Sequence, residues 1–182
     1  MQSNKLVCLD LGCGMRKPKD NGTQKWFGVD IRPFEGVDFV ANIGKEPIPM
    51  KDNSVDLVTS VHLFEHLYPE ELFHCIDECW RVLKPSGSLK LSVPMAGTPA
   101  FYVHPDHKIQ FTVDTFGFFQ VPGNEDHSDP HGYLKGFWHV SAREAPGNPQ
   151  AIDVDMHPNK RGGRFEYVEV KKLTVPIKPV NI

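Results

Sequence analysis

The sequence predicts an α/β fold: a mostly parallel sheet with an antiparallel pair of strands toward its C-terminal end. Three observations carry this expectation. Short apolar runs bounded by glycine and polar residues recur four times before residue 62, as expected of parallel strands buried on both faces. A longer segment with helical apolar spacing separates the fourth run from a fifth, which makes a strand–helix–strand unit. After Pro94 this alternation stops, and two strand-like segments remain near the end of the chain.

The elements follow in order. LVCLDLG (6–12), WFGVDI (26–31), VDFVANI (37–43) and SVDLVTSV (54–61) are the first four strands. PEELFHCIDECWRVLKP (69–85) reads as a helix. Pro69 suits its first turn, and Glu70 and Glu71 sit beside its positive end. Leu72, Phe73, Ile76, Trp80 and Leu83 recur at helical spacing before Pro85 ends the run. PSGS (85–88) reads as a turn and GSLKLSVP (87–94) as the fifth strand. Residues 94–111 form an excursion rich in proline and histidine, TVDTFGFF (112–119) a short helix capped by Thr112, and residues 121–134 a loop. GFWHVSAR (136–143) and RFEYVEVKKL (164–173) read as the antiparallel pair, joined by a long connection over 144–163. The expected organisation is one domain over 1–182, with a core at 5–94, an excursion at 95–140 and the C-terminal strands within 135–175.

Composition narrows the function classes. Hydrophobic residues make up 40% and charged residues 24% of 182, which is ordinary for a globular protein, and no window has the apolar length of a membrane span. MQSNKLVCLD runs straight into a strand pattern, so no signal or transit segment, a cytoplasmic location and no membrane partner are expected. Cys8, Cys13, Cys75 and Cys79 lack the spacing of a zinc ribbon or a redox pair and read as buried, reduced thiols. The net charge is −3, unevenly spread: residues 158–182 hold six basic and two acidic side chains, which leaves −7 on the rest. No RNA or DNA motif accompanies this basic tail. It reads as the solvated face of an edge hairpin, and a nucleic-acid partner is not expected.

The stretch LDLGCGMRKPKD (9–20) carries the chemistry. A strand ending in glycine-x-glycine, Gly12 and Gly14, lets backbone approach a ligand at the carboxyl end of a parallel sheet. Asp30 ends the next strand, and an ionised carboxylate there can accept both hydroxyls of a ribose. The third glycine of the dinucleotide fingerprint is replaced by Lys17, which argues against a nicotinamide-dependent oxidoreductase. Only 15 residues separate Gly14 from Asp30, among them Pro18 and Asn21-Gly22, so a loop or a single helical turn is expected there rather than a full helix. The loop charges Arg16, Lys17 and Lys19 either reach an anionic ligand or are simply solvated.

Four segments in order, LDLGCG, GVDI, ANIGKEPIPMKDNSVDLVTSVHLFEHL and ECWRVLKPSGSLKLSVP, resemble the motifs of class I S-adenosylmethionine-dependent methyltransferases. The likeness is to the small branch with an EHL signature and an RVLKPGG-like turn, and it covers residues 5 to about 94. It implies a Rossmann-like sheet and S-adenosyl-L-methionine as cofactor. It also implies site roles. Gly12, Cys13 and Gly14 would pack on the methionine moiety, with Asp10 near its positive end. Asp30 and the adjoining Ile31 would meet the ribose. Asn42, where relatives carry aspartate, and Ile43 would meet the adenine. Ser60 and Val61, within the stretch 60–63, would line the methyl-donor side. Ser86 departs from the usual second glycine of the turn.

At the acceptor, His62 directly after the fourth strand is the candidate base, while Glu65 and His66 read as structural. Two groups, His104/Asp106/His107 and Asp126/His127/Asp129/His131, match no zinc spacing, and no functional metal is expected. The first group reads as lining of the acceptor pocket, with Phe101, Tyr102 and Trp138 as aromatic walls or core. The expected function is methyl transfer to an acceptor, small molecule or macromolecule, that the sequence does not identify. The alternative is an inactive cofactor-binding module or partner subunit. Homodimerisation is left open.

Overall fold

The computed structural model describes residues 5–120 and 133–160. Seven strands form one sheet: β1 (Leu6–Leu11), β2 (Gln24–Asp30), β3 (Phe39–Val40), β4 (Val55–Val61), β5 (Leu83–Pro94), β6 (Trp138–Ala145) and β7 (Asn148–Pro158). Their spatial order is β3-β2-β1-β4-β5-β7-β6. The first five run parallel, and β7 pairs antiparallel with both β5 and β6. This is a Rossmann-like, mostly parallel sheet with an antiparallel C-terminal pair. Chain order reverses between β1 and β4, and the crevice beyond their carboxyl ends is where open α/β sheets take ligands.

The helix α1 (Pro69–Val82) joins β4 to β5. Glu71 accepts the Tyr68 N–H at 2.9 Å, which satisfies a donor that the first turn leaves unpaired. Leu72, Cys75, Ile76, Cys79 and Val82 form its buried stripe. They join Leu9, Leu11, Val29, Val58, Leu89 and Leu91 in the main core. Strand alternation turns Cys8, Trp26 and Leu57 to the other face, where they form a small second cluster. Arg81 ties the β3–β4 connection to α1. It donates to the Ile48 and Met50 carbonyls, both at 2.9 Å, and pairs with Glu78 and Asp52. Lys160 caps the other end of α1, donating to the Arg81 and Leu83 carbonyls against the negative pole of the helix. One lysine of the basic tail is thereby structural; the rest of the tail lies outside the described residues.

Several expectations are corrected. Among the described residues β6 pairs with β7, a strand that falls within the connection expected over 144–163; the expected strand at 164–173 lies outside the described residues. Pro146 and Gly147, the latter at φ +77, supply the two central positions of a tight turn, so no long connection intervenes. Within β7, Ile152, Val154 and Met156 are buried between the more open Asp153, Asp155 and His157, a period-two pattern hidden by the surrounding proline and glycine. The turn expected at 85–88 is a bulge inside β5: the register jumps from Val55↔Leu83 to Leu57↔Ser88. β3 keeps two of the seven expected residues. TVDTFGFF forms a 3-10 helix at Asp114–Phe119, preceded by a Thr112–Thr115 exchange of backbone and hydroxyl hydrogen bonds. A second short helix, α2, spans Pro99–Tyr102. All four cysteines are buried and unpaired.

Candidate functional site

The glycine turn begins where β1 ends. Gly12 and Gly14 have φ of +67 and +51, the left-handed region that costs a residue with Cβ strain. A Cβ on Gly12 would also meet the Leu63 side chain at 3.2 Å, whereas one on Gly14 would meet nothing within 4 Å. The Gly12 and Cys13 N–H groups donate to the Val29 carbonyl, which locks the turn against β2. Gly28, beneath it, leaves no room for a methyl group: its Cβ would stand 2.6 Å from Cys13 Sγ and 2.8 Å from Lys17 Cδ. Burial pushes the Cys13 thiol up to about 11, so it is an apolar filler rather than a nucleophile. Residues 12–23 cross between β1 and β2 with no helix, as the two turn signals predict.

Two carboxylates meet this turn. Asp30 receives the Gly14 N–H on Oδ2 and the Arg32 N–H on Oδ1, each at 2.9 Å. Each oxygen keeps a second lone pair, so the residue shapes the turn and still has acceptor capacity for a diol. Asp10 points from the less covered face of β1 and receives the Thr59 hydroxyl at 2.8 Å. Burial pushes its carboxyl up to about 6, against the opposing effect of that hydrogen bond. Among the described residues no ion pair neutralises Asp10 or Asp30, whereas Lys17, for which the sequence allows either an anionic ligand or solvent, is held by Asp38 at 2.6 Å.

The remaining candidates divide. Ile31 is 60% exposed beside Asp30, and Val61 is 36% exposed at the end of β4; both are apolar surfaces left open at the strand ends. Ile43 is buried in the main core. The Asn42 side-chain oxygen accepts the Gly44 N–H at 3.2 Å, so it closes its own turn while one lone pair remains. Ser60 is buried, and its hydroxyl has no partner among the described residues. Trp138 is core, and Tyr102 is exposed. The cluster 126–131 lies outside the described residues.

Past β4, His62 adopts φ +54, uncommon for a residue with a side chain. Its Nδ1 lies 3.1 Å from Oε1 of Glu65, a residue with no exposure at all. This hydrogen bond raises the histidine pKa and assigns the proton to Nδ1, which leaves Nε2 as the basic nitrogen. The segment 104–108 folds back onto this point: Lys108 and Ile109 donate their N–H groups to the Glu65 carbonyl. Sequence spacing could not show that His66 and His107, 41 positions apart, have rings 4.7 Å apart. Nor could it show Thr59 orienting Asp10.

Comparison with known proteins supplies the family context. Residues 3–91 match the family model described as "Methyltransferase domain". A curated protein of Mycolicibacterium smegmatis, described as a "probable S-adenosylmethionine-dependent methyltransferase", is 40% identical over 66 residues. That match covers 36% of this chain and 21% of the relative, so the chain spans about a fifth of its length. A SAM-dependent methyltransferase from Archaeoglobus fulgidus has a similar fold, with TM-score 0.57, 19% identity, and 86% and 87% of the two chains covered. Phosphoethanolamine N-methyltransferase 1 of Haemonchus contortus, solved with phosphoethanolamine and S-adenosylhomocysteine, aligns with TM-score 0.61 and 13% identity over 92% of this chain and 42% of that one.

Proposed function

Because residues 3–91 of this chain are a methyltransferase domain, we propose that the protein transfers the methyl group of S-adenosyl-L-methionine to an acceptor. The observation that carries this reading is the meeting of the Gly12–Gly14 turn with Asp10 and Asp30 at the reversal of strand order. The residues fit such a cofactor. Asp10 is a half-dry carboxylate with no cation of its own, and a sulfonium or ammonium group is the charge it lacks. Gly14 leaves open space where any side chain would intrude. Asp30 retains acceptor lone pairs for ribose hydroxyls, the exposed Ile31 offers apolar contact while Ile43 supports the wall from the core, and Asn42 keeps one acceptor for an adenine amino group. Cys13 packs under the turn, and the exposed Val61 lines the methyl-donor side, with Ser60 buried next to it in the strand.

When bound, the cofactor supplies an electrophilic methyl group on a positive sulfur. The protein's part is alignment and exclusion of water, with a base only where the acceptor must lose a proton. His62 fills that role. Its Nδ1–H is held by Glu65, and Nε2 takes the proton from the acceptor. The positive φ of His62 sets the ring at the end of β4 instead of letting it follow the strand. The acceptor is expected to enter over residues 95–110. Buried unpaired thiols favour a reducing, cytoplasmic setting, and no helix among the described residues is long and apolar enough to cross a membrane.

Calorimetry with S-adenosyl-L-methionine and its demethylated product tests the site. The wild type is expected to bind both, and Asp30→Asn, which keeps one acceptor oxygen, to bind about tenfold or more weakly. Because Asp30 also holds Gly14, the melting temperatures of the two empty proteins are compared; a large loss for Asp30→Asn assigns the effect to the turn. No binding by the wild type refutes the proposal. Transfer of a labelled methyl group to cell extract then separates a catalyst from a binder.

A further inference from the structure

We propose that Glu65, His66 and His107 bind one divalent transition-metal cation, Zn²⁺ first among them. One donor atom from each of the three lies within 4.8 Å of the others. The hydrogen bonds around them decide which atoms carry lone pairs. His107 Nδ1 is 2.6 Å from the Phe101 carbonyl oxygen, so Nδ1 carries the proton and Nε2 of the neutral ring carries the lone pair. His66 Nδ1 is 2.9 Å from an Asp106 carboxylate oxygen, which assigns that ring the same tautomer. A histidine whose far nitrogen is anchored on a carbonyl or carboxylate is the usual arrangement around a metal.

The buried carboxylate is the second, independent observation. Glu65 is 0% exposed. Its Oε1 takes the His62 bond, and Oε2 is buried with no partner among the described residues. His107 Nε2 stands 3.9 Å from Oε1, too far for a hydrogen bond. Two electron-rich atoms thus face each other across a gap in a place that water barely reaches, since the His107 side chain is 3% exposed. A cation between them satisfies both and, if the carboxylate binds it through both oxygens, also gives a partner to Oε2, which hydrogen bonds among the described residues leave without one. With metal–ligand bonds of about 2.0–2.1 Å, donors on one ion stand about 3.3 Å apart, so a small contraction closes the site. The nearest lysine does not fill the gap: the Lys108 ammonium donates to the His66 carbonyl and lies over the Tyr68 ring.

Two imidazoles and one carboxylate suit zinc and its neighbours; magnesium and calcium prefer all-oxygen shells. Three protein ligands leave a coordination position open for water or an acceptor oxygen. His66 is 31% exposed, so the opening is toward solvent. The site is held rigidly because the Glu65 carbonyl, itself on the 3-10 turn Phe64–His66, receives the Lys108 and Ile109 N–H groups and so fixes His107 against it.

The test uses the full chain treated with a chelator and then dialysed. Zn²⁺ is titrated in competition with a chromogenic chelator, and Co²⁺ is added separately for its visible absorption. One equivalent is expected, with a low-symmetry Co²⁺ spectrum. Loss of an outer partner alone weakens metal sites by about 10–100-fold, so Asp106→Asn should fall in that range and His66→Ala and His107→Ala beyond it. His74→Ala, on the exposed side of α1, should match the wild type. Sub-stoichiometric uptake, or wild-type affinity in His66→Ala and His107→Ala, overturns the proposal. Should His107→Ala fail to fold, the part-exposed His66→Ala carries the test. The readout needs no methyl donor, so it stands or falls apart from the assignment of activity.

Discussion

Replacing Asp10 by Asn should make the empty protein more stable and the loaded one weaker. Burial raises this carboxyl from an ordinary 3.8 to about 6. Two units correspond to about 3 kcal/mol of disfavour for the ionised form in the folded state, at 1.36 kcal/mol per unit. The sign is that of a raised acid. The folded protein carries the full penalty above pH 6, about half of it at pH 5, and almost none below pH 3.8, where both states are protonated. Asn is never charged and can keep the Thr59 hydrogen bond. At pH 8 Asp10→Asn is therefore expected to gain about 1–3 kcal/mol, which for a chain of this length is about 2–10 °C in melting temperature, with the gap closing as pH falls from 6 to 4. A cation beside Asp10 reverses the preference. Cofactor affinity of the wild type should fall by up to about tenfold per pH unit below pH 6, while that of Asp10→Asn is weaker and flat across this range. Thermal melts from pH 4 to 8 and calorimetry at pH 5, 6 and 7.5 measure both. A variant less stable than wild type at pH 8, or wild-type affinity independent of pH, refutes the assignment of Asp10 as a carboxylate held ready for a cation.

Two further substitutions probe how the scaffold holds the turn. Gly28→Ala puts a methyl group within 2.6 Å of Cys13 Sγ, so the glycine turn must shift; a loss of about 1–3 kcal/mol by urea unfolding and weaker cofactor binding are expected together. Binding unchanged in a destabilised Gly28→Ala would separate the turn from the site. Arg81→Ala removes the donors to the Ile48 and Met50 carbonyls and, among the described residues, leaves the Ile48 N–H as the remaining hydrogen-bond donor to the Glu78 carboxylate. It should cost about 2–3 kcal/mol in chemical denaturation with little effect on the Co²⁺ spectrum of the metal site.

The parallel half of the fold was legible because its signals are local. Apolar runs at β1, β2 and β4 and the 3.6-residue stripe of α1 need only neighbours in sequence to declare themselves, and so does the glycine turn. The C-terminal half was harder for a physical reason: AIDVDMHP has lower strand propensity than RFEYVEVKKL, yet the tight Pro146-Gly147 turn makes it a strand beside β6. That turn sets Val140 and Ala142 opposite Met156 and Val154, while the other edge of β7 lays Ile152, Val154 and Met156 opposite Val93, Leu91 and Leu89 of β5. Burial of such side chains contributes about 1.5–3 kcal/mol each, more than the propensity difference.

At the site the same division holds. Strand ends and glycine positions place Asp10, Gly12, Gly14, Asp30 and His62 from the order of residues alone, because each lies within three residues of a strand end. What the order of residues cannot contain is distance across the fold. The Thr59 contact with Asp10, the seat of Trp138 in the core, and the gathering of His66 and His107 about Glu65 depend on how β1 pairs with β4, on how β6 pairs with β7, and on where residues 104–109 fold back. Those are long-range contacts, set by burial and by backbone hydrogen bonds between segments some forty positions apart, and only the folded chain decides them.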